Sequence, residues 1–187
     1  MPWSWAVCAE VQLYIFIPIW VYVYSKSKKA CIIIAAFLIL VGMTIVGVMA
    51  GVKGFTAGIY TLENYDLYQM MFIKPYAKLH LHGLGLLSAI FYLDILAYRA
   101  LPDSFTKAKS FPRIHYLSTN LKLAKLLMLI AVTLVLTNFF VTYEPGKDAY
   151  IWSTSANVAY YLFSRITSAL GWMMLAFYII LGYSKLG

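Results

Sequence analysis

The chain has 187 residues, of which 63% are hydrophobic and only 12% charged, with a mean hydropathy of +0.77. A soluble domain carries about 45–50% apolar and about 25% charged residues. A globule of this length cannot bury so much apolar surface and still present a polar exterior. A soluble globule, a disordered chain and a disulfide scaffold are therefore excluded, which leaves an all-α, polytopic transmembrane bundle.

Lys and Arg number 15 against 7 Asp and Glu, a net charge of +8. The basic residues fall mostly between apolar runs, where they orient spans and meet anionic headgroups. The expected partners are membrane lipids and other membrane subunits, with no nucleic acid. Cys8 and Cys31 both sit at apolar segments and read as small hydrophobic residues. Met1 to Glu10 has no Lys or Arg and the first apolar run is too long for a signal core, so no cleavable signal peptide is expected. Insertion then proceeds through the chain's own spans, or the chain is part of something longer.

A spanning helix needs about 20 mostly apolar residues. In chain order, the first span is expected from about Ala6 to Tyr24, with Glu10 and Gln12 inside it. The second, from about Ala30 to Ala50, is the cleanest, a block chiefly of Ile, Leu, Val, Ala and Met. The third covers about Leu79 to Tyr98, the fourth about Leu121 to Tyr143 and the fifth about Val158 to Tyr183. Together they make residues 1–187 a single membrane domain of about five spans.

The connections differ in character. Ser25 to Lys29 is a short basic turn. Val52 to Lys78 is polar and aromatic, with Tyr60, Tyr65, Tyr68 and Tyr76 suited to a headgroup-level belt. Within it, Thr61 to Ile73 reads as a short interfacial helix, because Leu62, Tyr65 and Phe72 share one helical face. Arg99 to Asn120 is basic and broken by Pro102 and Pro112, and Glu144 to Asn157 opens on a Glu-Pro-Gly turn signal. Ten of the cations lie on the side of the first and third loops and four on the other, with Arg165 inside a span. That excess puts the first and third loops on the cytoplasmic-type side.

Small residues let helices approach in lipid. Gly47 and Gly51, Gly85 and Ala89, and Ser164 and Ser168 each make a small-xxx-small pair, which favours a closed bundle.

Polar residues inside spans are costly and point to partners or cavities. Arg165 in the fifth span costs about 2.5–3.5 kcal/mol on insertion scales, so it either faces the bundle beside a partner or snorkels to an interface. Glu10, Asp94, His80 and His82 are the candidate partners. Glu10 and Tyr14 are four apart and share a face, with Gln12 between them. Glu10, Gln12, Tyr14 and Arg165 are thus the candidate cavity-lining polar residues. His80 and His82 are two apart, point to different sides of a helix and make a poor metal pair, so no metal site is expected. His115 lies in the basic loop and reads as solvated. Ser-His-Asp order, a nucleophile elbow, a phosphate loop and a dinucleotide glycine pattern are all missing from the sequence, so no residue is assigned as catalytic.

Trp5, Glu10, Gln12, Tyr14 and Pro18 stand at the spacing of a Trp-Ser-Leu-x-x-Glu-x-x-Phe-Tyr signature followed by Pro, with Trp3-Ser4 just ahead. Lys74-Pro75-Tyr76-Ala77-Lys78 followed by Gly85 parallels a Lys-Pro-Trp-x-Arg stretch before a Gly-containing span. Ser164-Arg165 through Leu170-Gly171 parallels a Ser-Arg-x-x-Trp-Ala-Leu-Gly stretch, with Ser168 where the Trp would stand. In these stretches the chain resembles the integral-membrane acyltransferases of family three, in particular the branch called nose resistant to fluoxetine. The resemblance implies acyl transfer, typically from acyl-coenzyme A to hydroxyls of small acceptors, on a domain of about ten spans. It also implies that the family's essential His and nearby Arg precede the Trp-Ser segment, so neither maps to a residue here. His80 and His82 do not fall on the catalytic position, and the chain resembles a middle portion of the fold.

The expectation is therefore an acyltransferase-like, multi-pass membrane protein serving as a non-catalytic accessory subunit of a larger complex, with no cofactor. The alternative is one part of an active O-acyltransferase, with acyl-coenzyme A as donor and with Glu10 and Arg165 lining its cavity. The mitochondrial inner membrane and an endomembrane are both open as its home.

Overall fold

The computed structural model describes residues 11–57, 74–141, 143 and 151–181. All the regular structure among them is helical. Pro18 shapes the first part. Residues 11–14 are helical, Ile15 and Phe16 form a turn, and α1 (Ile17–Lys26) follows. Proline has no N–H, and its ring crowds the carbonyl four residues back, so the helix breaks and restarts with Pro18 in its first turn. The Phe16 carbonyl accepts from the Ile19 and Trp20 amides at 3.0 and 3.2 Å.

Ser27 ends α1 in an extended conformation and starts α2 (Lys28–Lys53), its Oγ accepting from the Ala30 amide at 3.2 Å. Gly54 stops α2 at φ +63°, the left-handed conformation that a β-carbon disfavours. A 3₁₀ turn, Pro75–Lys78, leads into α3 (Leu79–Ala100). Two short helices follow, α4 (Ser104–Ser110) capped by Asp103, and α5 (Pro112–Thr119) opened by its proline. Asn120 Oδ1 accepts from the Leu123 amide at 3.1 Å and starts α6 (Leu121–Val141). Ser153 caps α7 (Thr154–Ile180) through the Ala156 amide.

Among the described residues, four helices are long and apolar enough to cross a membrane: Lys28–Lys53, Pro75–Ala100, Leu121–Asn138 and Thr154–Ile180. The chain is thus an all-α, multi-pass, integral membrane protein. These four correspond to the second to fifth expected spans. The first differs. With ten residues, α1 is about 15 Å long, half of the roughly 30 Å hydrocarbon core, and the bend before Pro18 separates it from the preceding turn of helix. Met1 to Glu10 and the expected interfacial helix from Thr61 to Ile73 lie outside the described residues.

The helices associate through small residues, as lipid-embedded helices must when hydrophobicity gives no preference between a lipid tail and a leucine. The α2–α3 contact is the most extensive, followed by α6–α7, and α7 also packs on α2. α2 and α3 run antiparallel. Lys28 meets Asp94, Ala35 and Ile39 meet Gly83, and Gly42 meets His80. Gly47 and Gly51 face Leu162 and Val158 of α7, and Gly171 lies against Ala131, Leu134 and Val135 of α6. Asn138 joins these last two helices by donating to Thr167 Oγ1 at 3.1 Å. Phe91 and Phe177 meet edge to face at 4.7 Å between α3 and α7, where Ser88 also donates to Met173 Sδ. Large side chains such as Ile33, Phe37, Leu40, Leu129 and Ile179 are exposed and form the surface that meets lipid acyl chains.

Candidate functional site

Two features bring polar side chains together among the helices. The first is a polar centre where α2, α3 and α7 meet. Val46, Ala50, Phe55, Ala77 and Tyr161 form its apolar floor. The loop after α2 folds back over α7. Asn157 Oδ1 accepts from the Ala57 amide at 2.9 Å, and Tyr161 Oη donates to the Thr56 carbonyl at 2.6 Å. These bonds satisfy backbone groups of a non-helical segment in which Phe55 and Ala57 are buried.

Arg165 lies one turn beyond Tyr161, near the middle of α7, with Nη2 sealed from solvent. It acts electrostatically on Tyr160, Tyr161 and His80. It therefore faces the bundle and does not snorkel outward. His80, only 1% exposed, sits in the first turn of α3 with its backbone against Gly42. Both of its ring nitrogens are buried, and neither has a hydrogen-bond partner among the described residues.

The second feature is a cleft of about 810 Å³ between α1 and α3, floored by Cys31 of α2. Leu13 and Tyr14 before the turn, with Ile17, Trp20, Val21 and Tyr24 of α1 at spacings of three and four, line one wall. The α3 wall runs from Lys78 through His82, Gly85 and Ala89 to Leu93, about 22 Å of helix at 1.5 Å per residue. Trp20 Nε1–H donates to His82 Nε2 across it at 2.9 Å. That bond makes Nε2 the acceptor, so the ring proton of neutral His82 resides on Nδ1.

The sequence-based candidates separate between these features. Tyr14 lines the cleft and Arg165 belongs to the polar centre, while Gln12 is exposed at the start of the described chain. Glu10 lies outside the described residues. Of the candidate partners of Arg165, His80 is within electrostatic reach. Asp94 is instead held by Lys28, whose Nζ is 2.6 Å from both carboxylate oxygens, and His82 turns to Trp20. The two-residue spacing does send His80 and His82 to different sides of α3. His115 is not simply solvated. Its Nδ1 is 3.1 Å from Tyr98 Oη, which also bonds Ser118 Oγ at 2.7 Å. Asn157 and Tyr161 were not singled out from sequence. Their four-residue spacing was the available signal, but polar side chains near a helix start also suit an interface.

Gly85 departs from its small-xxx-small expectation. A β-carbon there would meet nothing within 4 Å, so among the described residues Gly85 opens the cleft and has no helix packed on it. Among the described residues, no three of His, Cys, Asp and Glu are grouped to hold a metal ion. Family models, curated proteins and solved structures yield no match to this chain.

Proposed function

We propose that this chain is a non-catalytic accessory subunit of a larger membrane complex, built on an acyltransferase-like helix bundle. The placement of its three histidines supports the reading. A general base must reach the proton it abstracts within hydrogen-bond distance. His80 is shut into the contact between α2 and α3, His82 is engaged by Trp20, and His115 is engaged by Tyr98 in the connection before α6. The polar centre then has a structural role. Asn157 and Tyr161 pin the loop after α2 to α7, and Arg165 keeps its charge inside the bundle. The cations gathered at the first and third loops set the orientation of the subunit in its membrane.

Native isolation tests this. The chain is tagged, extracted in mild detergent and analysed for co-migrating subunits. A stable assembly with several unrelated membrane subunits is expected. A single companion bearing a histidine-rich set of helices, with acyl transfer in the pair, would replace this reading by a split O-acyltransferase that uses acyl-coenzyme A. Fractionation of the same cells assigns the assembly to the mitochondrial inner membrane or to an endomembrane.

A further inference from the structure

The α1–α3 cleft is open along its length, since Tyr14, Val21 and Leu93 on its rims are exposed. Another helix lies along it only by breaking the Trp20–His82 hydrogen bond. An α-helix with its side chains is about 10–12 Å across, whereas Trp20 reaches from α1 to hydrogen-bond His82 on α3 at 2.9 Å. An acyl chain is thin enough to run beside that bridge, over the floor left by Cys31, Gly85 and Ala89. The roughly 22 Å of α3 along the cleft exceeds the depth of one leaflet, about 15 Å of a 30 Å core.

Lys78 lines one end of the cleft and is engaged in an interaction of its own, so the cluster of cations at the other end orients such a chain. At the Tyr24–Leu93 end, the cleft meets the turn between α1 and α2, where Lys26, Lys28 and Lys29 are all exposed. Lys28 is paired with Asp94, while Lys26 lies over the Tyr22 ring at 5.7 Å. This end belongs to the side that holds ten of the 15 basic residues. The amides at the start of the 26-residue α2 point the same way and favour an anion. Basic pockets between spans on the cytoplasmic or matrix side suit anionic lipid headgroups.

We propose that the cleft holds an acyl chain of an anionic phospholipid from the leaflet on the basic-loop side, with the lipid phosphate beside Lys26 and Lys29. This goes beyond the subunit role above and holds equally if the chain works in an enzyme. The lipid fills the space that α1 leaves against α3 and tethers that helix, which has no buried residue of its own.

Trp20 is the built-in reporter. Trp3, Trp5, Trp152 and Trp172 are replaced by Phe in the full chain, which is placed in nanodiscs of unlabelled phosphatidylcholine. A small fraction of mid-chain brominated phosphatidylglycerol or brominated phosphatidylcholine is then added. At equal mole fraction, Trp20 quenching by the brominated anionic lipid is expected to exceed that by the zwitterionic one at least twofold. The joint variant Lys26→Gln with Lys29→Gln removes the preference, and Ala89→Leu or Gly85→Leu, which fill the floor, reduce the quenching itself. Equal quenching by both lipids, or a preference that survives the lysine changes, overturns the proposal, as does quenching untouched by the floor-filling variants. A co-purifying protein helix that shields Trp20 from both lipids also overturns it. If the four-Phe chain does not fold, native mass spectrometry of the unmodified chain decides, through retained phosphatidylglycerol that the lysine pair variant loses.

Discussion

The Cα of Gly42 faces the backbone of His80 so closely that a β-carbon at Gly42 would overlap the His80 amide nitrogen. This contact lets α2 and α3 meet and buries His80. Gly42→Ala must push two backbones apart, and overpacking of this kind costs about 1–3 kcal/mol. Gly85→Ala adds its methyl to open space and replaces a poor helix former, which is worth up to about 1 kcal/mol in the other direction. Thermal unfolding of the two variants in one detergent is expected to lower the midpoint for Gly42→Ala and leave it level or raised for Gly85→Ala. Equal midpoints would contradict the helix contact.

The helical class and four spanning helices were legible because apolar length alone decides whether a segment can cross lipid. Composition counts apolar residues and says little about where Pro18 interrupts the helix within the first expected span, whose residues up to Glu10 lie outside the described residues. Glycine spacing located the Gly47–Gly51 face, now against α7, but misjudged Gly85. The pattern is the same in both cases, and only the placement of α1 shows that one face is left open. Asp94 and His115 were misread for a related reason. Their partners, Lys28 and Tyr98, are 66 and 17 residues away, and no local period encodes such pairings.

Asn157 and Tyr161 contribute unequally to the loop they hold. Asn157→Ala removes the acceptor of the Ala57 amide in a residue that is 1% exposed, and a buried donor left unsatisfied costs about 1–3 kcal/mol. Tyr161→Phe loses only its hydroxyl bond to the Thr56 carbonyl, about 0.5–1.5 kcal/mol for a typical hydrogen bond. Denaturation by increasing sodium dodecyl sulfate is expected to unfold Asn157→Ala first, then Tyr161→Phe, then the unchanged chain. The reverse order of the two variants would count against a load on Asn157.

Arg165 and Lys107 carry the same charge in different settings. Arg165 sits in mid-helix with Nη2 sealed and with Tyr160, Tyr161 and His80 in electrostatic reach. Lys107 lies on α4, with its ammonium 5.5 Å from the Tyr98 ring centre, a contact worth about 0.5–1 kcal/mol at exposed sites. Arg165→Leu is expected to lower the yield of folded protein in gel filtration well below that of Lys107→Leu. Comparable yields would show that the bundle does not depend on a buried cation.

The connection between α3 and α4 gives the chain a pH-sensitive helix start. Asp103 accepts from Thr106 Oγ1 at 2.9 Å and from the Thr106 amide at 3.2 Å. The Thr106 hydroxyl first, and its amide second, hold the Asp103 carboxyl below its ordinary value. A carboxylate whose folded pKa is depressed contributes stability that is complete above its unfolded pKa. That contribution is lost as pH falls through the folded one. The start of α4 should therefore be firm at neutral pH and loosen only in acid, below the usual carboxylate range. Asn at the same position still caps a helix but does not titrate there. Amide exchange at Thr106, followed by NMR in detergent, is expected to quicken in acid beyond its intrinsic rate in the unchanged chain and to show no such excess in Asp103→Asn. The same acid-induced excess in both would place the titration on another group.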